Sequence, residues 1–271
     1  MNRESSSGRG KREDVGPGRS PTRAYASCVT SSSPRVELFA PAKLTLSLRV
    51  VGVRSDGYHL IDAEMVMLDF GDSLSLDPDG DGLEVIEGET GLAVPAGADN
   101  LVARALGLVG RRAHVYLHKL IPAGAGLGGG SSDAAAICRW AGLDDLDRAA
   151  TLGADVPFCI VGGRARVQGI GEVVEPLPFE SRTLTLLTPP MGCSTPAVYA
   201  AWDHLGGSTG RGQNDLEAAA LEVEPRLAKY RDLLGEHTGQ HPHLAGSGST
   251  WFVEGSFPGG DRVVAHTLAP F

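Results

Sequence analysis

The sequence predicts an α+β fold with two domains. Segments whose apolar residues alternate with polar ones, as in strands, are mixed along the chain with segments of helical periodicity. The 271 residues are 42% hydrophobic, which is enough for one large core or two modest ones. The pattern breaks near residue 176 and restarts after it. We therefore expect one domain over residues 34–176 and a second over residues 177–271.

Residues 1–33 differ in composition from the rest of the chain. They contain six Lys or Arg against three Asp or Glu, together with eight Ser and four Gly, and show no apolar periodicity. Such a segment buries too little apolar surface to order itself, so we predict a disordered N-terminal tail. A targeting peptide is the alternative, although Glu4, Glu13 and Asp14 carry the wrong charge for one.

Charge and apolar patterning exclude several classes of protein. Residues 34–271 hold 18 Lys or Arg against 30 Asp or Glu, and this acidic balance argues against nucleic-acid binding. No window approaches about 18 uninterrupted apolar residues, and the chain starts with a polar stretch. We therefore expect a soluble, cytoplasmic protein with no membrane partner. The four cysteines form no Cys-x-x-Cys pair, which predicts reduced thiols and no zinc site.

The signals before residue 122 can be taken in chain order. Alternation predicts strands over residues 36–50, 65–76 and 113–120, with a turn at residues 56–57. Asp99-Asn100 can cap a helix over residues 101–109. The loop at residues 77–82 has the alternating acids of a calcium loop. Pro78 and Gly80 at the intervening positions, with no Glu at the twelfth, exclude that interpretation.

The second half of the chain also predicts helices mixed with strands. We predict helices that open at residues 131–133 and span residues 146–152, followed by strands over residues 156–161 and 164–167. The pattern restarts at residues 183–187. It continues with a helix over residues 195–205, a helical stretch over residues 216–234 broken at Pro225, and a strand at residues 251–253.

Residues 122–133 carry the most informative pattern. Five glycines in the seven positions 124–130 let the backbone approach a ligand, and the helix that opens behind them aims free N–H groups at it. The segment therefore predicts an anion site. A flexible linker is the alternative, but linkers do not normally lie between an alternating strand and an alanine-rich helix. Ser131 after Gly130 excludes a Walker A loop, and a dinucleotide fingerprint matches only weakly.

Three motifs resemble one family of enzymes. Residues 124–132 closely resemble the ATP loop of the small-molecule kinases grouped with galactokinase, homoserine kinase, mevalonate kinase and phosphomevalonate kinase, the GHMP kinases. Residues 40–44 are similar to the opening motif of that family, and residues 246–250 to its third motif. The resemblance spans residues 37–254. It implies a two-domain GHMP-kinase-like fold with the active site in the interdomain cleft, and ATP with Mg²⁺ as cofactors.

Two side chains are candidates for the chemistry. Asp155 directly precedes an apolar run, where a carboxylate is unfavourable unless it has a functional role. The alternative is a structural role, in which Asp155 caps a helix or pairs with an Arg. Lys43 lies among apolar and small residues, and an ordinary surface lysine is the alternative. The resemblance implies that Asp155 accepts the proton of the substrate hydroxyl. It also implies that Lys43 orients Asp155 and lowers the pKa of that hydroxyl.

The resemblance also implies the residues around both substrates. Residues 56–59 and 152–158 are similar to the branch whose acceptor carries a cytidine diphosphate, in which Tyr58 and His59 would hold the cytosine. The other acceptor residues would be Thr45, Thr195, Gly246, Ser247 and Gly248. ATP would be held by Asn100, Lys119, Pro122, Ala123, Gly124, Ala125, Gly126, Leu127, Gly128, Gly129, Gly130, Ser131 and Ser132.

Two departures from the family pattern stand out. Thr45 replaces the usual Asn, which keeps a hydroxyl and loses an amide. The segment between Ser132 and Asp155 is several residues shorter than in the family; we expect the following strand, residues 156–161, to place Asp155 regardless. Ser132 is the one metal ligand suggested, and the metal site stays unassigned. The histidines at positions 114, 118, 204, 237, 241 and 243 lack metal-like framing and are interpreted as surface residues.

The implied reaction is phosphoryl transfer from ATP to the tertiary 2-hydroxyl of the cytidine diphosphate-linked methylerythritol, in the non-mevalonate isoprenoid pathway. One rival is another kinase or a decarboxylase of the same superfamily, whose substrate would not need Tyr58 and His59. The other rival is a catalytically silent binding or regulatory member, supported by Thr45 and the shortened segment.

Overall fold

A computed structural model describes residues 34–87, 94–207 and 212–271. The predicted tail at residues 1–33 lies outside the described residues. Two strands that form one long antiparallel hairpin, β1 (Val36–Val53) and β2 (His59–Asp77), dominate the first sheet. The predicted turn at residues 56–57 joins them, with Gly57 at φ +87°. Residues 40–46 of β1 are buried without interruption, as in a strand covered on both faces.

Four further strands complete this six-stranded sheet. They are β3 (Gly82–Glu87), β4 (His114–Lys119), β5 (Arg164–Gly169) and β6 (Val173–Leu177). The order is β3-β4-β2-β5-β6, with β1 paired to β2, and only the β3–β4 pair is parallel. A four-stranded antiparallel sheet follows, made of β7 (Thr183–Leu187), β8 (His243–Leu244), β9 (Trp251–Glu254) and β10 (Val263–His266) in the order β10-β7-β9-β8.

Seven helices cover the sheets in the described part of the chain. They are α1 (Leu101–Val109), α2 (Gly129–Ala141), α3 (Leu146–Ala150), α4 (Val156–Val161), α5 (Thr195–His204), α6 (Glu217–Val223) and α7 (Leu227–Thr238). No helix among the described residues is long and apolar enough to cross a bilayer. The α+β class is confirmed, and so are the strands and helices predicted at residues 36–50, 65–76, 101–109, 113–120 and 195–205 and the break at Pro225.

One predicted element is wrong. Residues 156–161, expected as a strand, form the short helix α4, with Pro157 in its first turn, where the missing N–H of proline is tolerated. A short apolar run does not distinguish a buried strand from a buried helix, and packing of α4 against α2 and α3 decides the outcome. Four strands, β3, β6, β8 and β10, were not predicted from the sequence.

Buried side chains connect the two sheets. Leu44 of β1 and Val66 of β2 share a hydrophobic cluster with Leu184 of β7 and Phe252 of β9. All described residues belong to one compact unit. The domain division at residue 176 stays a prediction.

Candidate active site

The glycine-rich segment forms the loop between β4 and α2. On one side the Thr250 N–H donates a hydrogen bond to the Ala125 carbonyl (3.1 Å). Gly126 adopts φ +78°, and a Cβ atom there would lie 2.4 Å from the Ala245 carbonyl oxygen. No side chain fits at that distance. The loop therefore lies against the segment before β9 only because position 126 is glycine.

The N-terminus of α2 opens directly behind this loop. Gly128, at φ +66°, is the N-cap residue, and no side chain caps the helix. The first intrahelical hydrogen bond runs from the Ser132 N–H to the Gly128 carbonyl (2.9 Å). The N–H groups of Gly129, Gly130 and Ser131 therefore have no acceptor within the helix. Together with the helix dipole they make a site for an anion such as phosphate.

A cavity of about 540 Å³ lies in front of the loop. Most of the residues predicted from the sequence line it, from all three motifs: Lys43, Thr45, Asn100, Lys119, Pro122, Ala123, Gly124, Ala125, Gly126, Leu127, Gly128, Gly129, Gly130, Ser131, Asp155, Thr195, Gly246 and Ser247.

Four predicted residues do not line the cavity: Ser132, Gly248, Tyr58 and His59. The Ser132 hydroxyl is fully buried and donates to the Pro41 carbonyl of β1. This hydrogen bond turns the hydroxyl towards the strand, and the role of Ser132 towards ATP or a metal stays a prediction.

Lys43 and Asp155 meet at the cavity wall. The Lys43 Nζ atom lies 3.1 Å from Asp155 Oδ2, with the two side chains 6% and 29% exposed. The lysine is thus buried, and the surface-lysine alternative is wrong. Its Nζ also donates to the Thr45 hydroxyl (3.2 Å), so the residue that departs from the family pattern supports the lysine. A carboxylate with one accessible side, oriented by an ammonium on the other, can accept a proton from a group bound in the cavity.

The stem of Lys43 passes close to the phosphate loop. A Cβ atom on Gly128 would lie 2.5 Å from Lys43 Cγ. The helix cap and Lys43 therefore occupy adjoining space, and only glycine at position 128 leaves room for both.

Asp155 stands at the N-cap position of α4 but does not cap it. Its side chain forms no hydrogen bond to the helix. The side chain of an N-cap aspartate usually accepts a hydrogen bond from a backbone N–H of the helix, whereas the Asp155 carboxylate contacts Lys43 instead. The helix α4, rather than the strand expected from the sequence, places this residue.

Tyr199 of α5 is a cavity residue that the sequence analysis missed. Burial raises the pKa of the Tyr199 hydroxyl to about 12, and the negative charge of Asp155 adds to the rise. The phenol therefore stays neutral near pH 7. Its spacing of four residues from Thr195 on a predicted helix puts both on one face, which is the signal that could have found it.

A second lysine in the wall has two carboxylate partners. The Lys119 ammonium contacts Asp72, and its Nζ atom lies 2.7 Å from Asp133 Oδ2. Asp72 also accepts hydrogen bonds from the N–H groups of Leu120 and Ile121, at the start of the loop. Its side chain is fully buried, and that of Asp133 is 2% exposed. We call Lys119, Asp72 and Asp133 the buried triad; neither aspartate was given a role from the sequence.

The charges of the buried triad are tightly coupled. Burial lowers the pKa of Lys119, but the charges of Asp133 and Asp72 outweigh burial and raise it above its ordinary value. Burial raises the pKa of Asp133 to about 7, and Lys119 opposes this only in part. Since two carboxylates already balance the Lys119 charge, this lysine suits a hydrogen bond to a neutral group such as a base better than charge neutralisation of phosphate.

Asn100 lines the cavity but its side chain is occupied. Its Oδ1 accepts from the Val102 N–H (2.8 Å) and its Nδ2 donates to the Pro95 carbonyl (2.8 Å). The amide thus caps α1, as predicted, and links it to the preceding loop.

The opposite wall is built by α5 and the third motif. The hydroxyls of Thr195 and Ser247 lie 2.8 Å apart. Asn214 Nδ2 donates to the carbonyls of Leu244 (2.9 Å) and Gly246 (2.6 Å), which fixes this segment of the wall. The positioning role of Asn214 was not found from the sequence, because its acceptors are about thirty residues away.

His59 lies behind the wall. Its ring packs against Tyr199 (centroids 4.6 Å apart) and edge-on to Trp202 (5.4 Å), and its Nε2 lies 2.8 Å from Asp203 Oδ1. Tyr58 is 59% exposed and contacts the Arg54 guanidinium. The structure thus connects His59 to the cavity through Tyr199.

The described residues contain no group of three or more His, Cys, Asp or Glu side chains that could hold a metal ion. Asp155 does offer one partly exposed carboxylate in the cavity. This fits a Mg²⁺ ion that arrives with nucleotide phosphates and keeps several waters, rather than a cage made of protein ligands.

Comparison with known proteins agrees with this geometry. The family described as GHMP kinases N terminal domain matches residues 96–163, which include the loop and Asp155. A solved crystal structure of 4-(cytidine 5'-diphospho)-2C-methyl-D-erythritol kinase has 30% sequence identity and a TM-score of 0.69, covering 86% of this chain and 99% of that one. Fold and site thus define a kinase of the GHMP class.

Curated relatives narrow the class. The 4-diphosphocytidyl-2-C-methyl-D-erythritol kinase of Paracoccus denitrificans (strain Pd 1222) is 39% identical over 233 residues, covering 79% of this chain and 84% of the relative. The kinase of the same name from Cereibacter sphaeroides (strain ATCC 17025 / ATH 2.4.3) is 37% identical over 246 residues, covering 80% and 88%. The chain belongs to the family of 4-diphosphocytidyl-2-C-methyl-D-erythritol kinases.

Proposed function

We propose that the protein transfers the γ-phosphoryl group of ATP to the 2-hydroxyl of 4-diphosphocytidyl-2-C-methyl-D-erythritol, in the non-mevalonate route to isoprenoid precursors. The observation that carries this proposal is the buried Lys43–Asp155 pair, 3.1 Å apart in the cavity that the glycine loop closes. The names of the relatives supply the acceptor. The geometry supplies the groups that phosphoryl transfer requires.

The donor binds against the loop. The free N–H groups at the start of α2 hydrogen-bond the terminal phosphates, and the helix dipole offsets their charge. The buried triad presents the Lys119 ammonium to the base side of the nucleotide, at a point where Gly129 leaves room for its Nζ. Mg²⁺ would be held mainly by phosphate oxygens, with Asp155 as the nearest accessible carboxylate, and it supplies positive charge to the transferring group.

The acceptor hydroxyl reacts beside Asp155. Its oxygen forms a bond to the γ-phosphorus while the bond from that phosphorus to the bridging oxygen breaks, and ADP leaves with the electron pair. The hydroxyl proton passes to Asp155. Lys43 holds the carboxylate in place from behind and lowers the pKa of the hydroxyl by its positive charge. Thr45 keeps the Lys43 ammonium oriented.

Turnover with a panel of acceptors tests the proposal. Purified protein with ATP and Mg²⁺ is expected to release ADP and form one new phosphomonoester, seen by ³¹P NMR, when the cytidyl acceptor is present. Mevalonate, homoserine and galactose serve as competing acceptors. A preference for one of these would assign the protein to another activity of the superfamily. Binding of ATP without turnover of any alcohol would favour a silent binding module.

A further inference from the structure

Arg139 lies in the last turn of α2 and contacts the two elements that carry Lys43 and Asp155. Its guanidinium donates through Nη1 to the Cys159 carbonyl of α4 and through Nη2 to the Phe39 carbonyl of β1 (3.2 Å). Lys43 follows Phe39 by four residues on the same strand, and Asp155 stands at the N-cap position of α4. One side chain therefore ties the strand of the ammonium to the helix of the carboxylate.

The α4 end of this bridge is coupled to Asp155 by the shortness of the helix. The six residues of α4 make fewer than two turns and span about 9 Å. The Cys159 N–H donates to the Asp155 carbonyl (3.0 Å), so the residue that Arg139 holds is itself bonded to the residue in the cavity wall. A displacement of the Cys159 carbonyl is therefore transmitted to the Asp155 side chain.

The β1 end of the bridge lies where the ladder between β1 and β2 is irregular. Among the described strands β1 pairs with β2 alone, and the register of that pair shifts between Pro41 and Lys43. Such a shift disrupts the ladder locally, so contacts from outside the sheet contribute to fixing the chain there. Arg139 holds the Phe39 carbonyl just before the shift. Ser132, seven residues earlier on α2 and thus about two helical turns away on the same face, holds the Pro41 carbonyl.

The Arg139 guanidinium is half-buried and forms no ion pair with a carboxylate of the described residues. Burial lowers the pKa of this guanidinium from its ordinary value, which shows that its charge is held against a desolvation penalty. The Phe271 ring covers it, with the guanidinium carbon 3.9 Å from the ring centroid. Gly162, directly after α4, leaves room for that ring, since a Cβ atom there would lie 2.7 Å from it. The surroundings thus hold the guanidinium in one orientation.

We infer that Arg139 is a positioning residue for phosphoryl transfer, which sets the separation of Lys43 and Asp155 by bonding the strand of one to the helix of the other. The inference rests on the proposed function, in which this pair activates the acceptor hydroxyl. Arg139 does not line the cavity, so it acts through β1 and α4. It lies about 15 Å along the helix axis from Gly129, the first residue of α2, so a change at position 139 leaves the phosphate loop in place.

The variant Arg139→Met tests this role, because methionine keeps an unbranched apolar stem and loses both hydrogen bonds. We expect kcat to fall by about 10- to 100-fold, since a misplacement of about 1 Å at a reacting group has an effect of that order. KM for ATP and KM for the cytidyl acceptor should each change by less than about twofold, because neither substrate loses a contact. An unchanged kcat would overturn the inference.

A comparison of double variants separates positioning from a merely structural role. Asp155→Asn has no proton acceptor left to position, so adding Arg139→Met should lower its residual kcat by much less than it lowers that of the wild type. A side chain that only stabilises the fold would lower kcat by the same factor in both backgrounds. Equal factors, measured well below the melting temperature of every variant, would therefore overturn the inference.

A second variant keeps the inference testable if the methionine variant does not fold. Arg139→Lys keeps the charge but lacks the planar fork that spans the two carbonyls. We expect a smaller fall in kcat with both KM values unchanged, and a wild-type kcat would overturn the inference.

The matched control is Arg148→Met. Arg148 of α3 donates to the Leu108 carbonyl of α1 (2.9 Å), so the variant also removes a hydrogen bond between two helices, and Arg148 does not line the cavity. Its kcat should equal that of the wild type. A loss as large as that of Arg139→Met would overturn the inference, since it would show that any such bond affects turnover.

Crystal structures of the variants separate this inference from the proposed function, because they need no turnover. The distance from Lys43 Nζ to Asp155 Oδ2 should increase from 3.1 Å to beyond about 4 Å, the limit of an ion pair, in Arg139→Met and stay unchanged in Arg148→Met. If the wild type phosphorylates no alcohol, the proposed function is wrong, and a pair that separates only in Arg139→Met would still support the positioning role. An unchanged distance in Arg139→Met would overturn the inference.

Discussion

Two lysines line the same cavity and differ in the number and burial of the carboxylates that contact them. Lys43 has one carboxylate, Asp155, which is 29% exposed; Lys119 has two, Asp72 and Asp133, which are almost fully buried. A single, accessible carboxylate can exchange a proton with a substrate. The two buried carboxylates offset the charge of Lys119 and fix the position of its ammonium group. In the proposed function the same pair of residue types serves chemistry at one place and positioning at the other, and solvent access to the carboxylate is the difference between them.

The largest expected effect is at the accessible carboxylate. Asp155→Asn keeps the shape of the side chain but cannot accept the hydroxyl proton, so kcat should fall by about 10² to 10⁴. ATP affinity, measured by calorimetry, should change little, because the loop that binds phosphate is untouched. A near-normal kcat would remove Asp155 from the mechanism.

The equivalent change in the buried triad should damage stability instead. Asp72→Ala removes one partner of Lys119 and leaves the N–H groups of Leu120 and Ile121 without their acceptor. We expect a loss of about 3 kcal/mol or more in the free energy of unfolding, measured with urea. Asp81→Ala, an exposed aspartate paired with Arg112, is the control and should lose less than about 1 kcal/mol. Equal losses would mean that the triad does not anchor the loop.

Gly128 tests whether the two lysine sites are independent. Gly128→Ala places a Cβ atom against the stem of Lys43 and strains a backbone at φ +66°. The strain should amount to about 1–3 kcal/mol. Both ATP affinity and kcat should decline, because loop and catalytic lysine share this space. Gly142→Ala, also at positive φ but with open space around its Cβ position, separates backbone strain from the collision. If Gly128→Ala lowered ATP affinity but left kcat unchanged, the Lys43 side chain would have moved aside without loss of activity.

A pH dependence of stability tests the charges of the buried triad separately. Burial raises the pKa of Asp133 from 3.8 to about 7 in the folded protein. Between these values the folded state holds a proton that the unfolded state has released, so this group makes stability fall as pH rises from about 4 to about 7. Asp133→Asn abolishes that slope. The difference in melting temperature between wild type and variant, followed over this range, should therefore shift in favour of the variant; a constant difference would contradict the raised pKa.

The sequence was most informative where function lies in a continuous segment. The glycine loop was predicted as an anion site from its own residues, whereas the roles of Lys43 and Asp155 were implied by the family resemblance of the motifs in which they stand. Asp72, Arg139 and Asn214 were not given roles, since each acts on partners dozens of residues away and no local pattern links them. Likewise the backbone of residues 156–161 is helical because of its packing, although its composition suits a strand.

The long hairpin of β1 and β2 carries residues from three parts of the site. Lys43 lies on β1, while His59 and Asp72 stand near the two ends of β2. A one-residue insertion reverses the facing of the residues that follow it within the same strand, so an insertion in β1 before Lys43 would displace that lysine, and one in β2 between His59 and Asp72 would shift these two residues relative to each other. The loop between α2 and α3, residues 142–145, lies outside the hairpin and can change length more readily. Insertions and deletions should therefore be tolerated less well in the β1–β2 hairpin than in the loops that connect the helices.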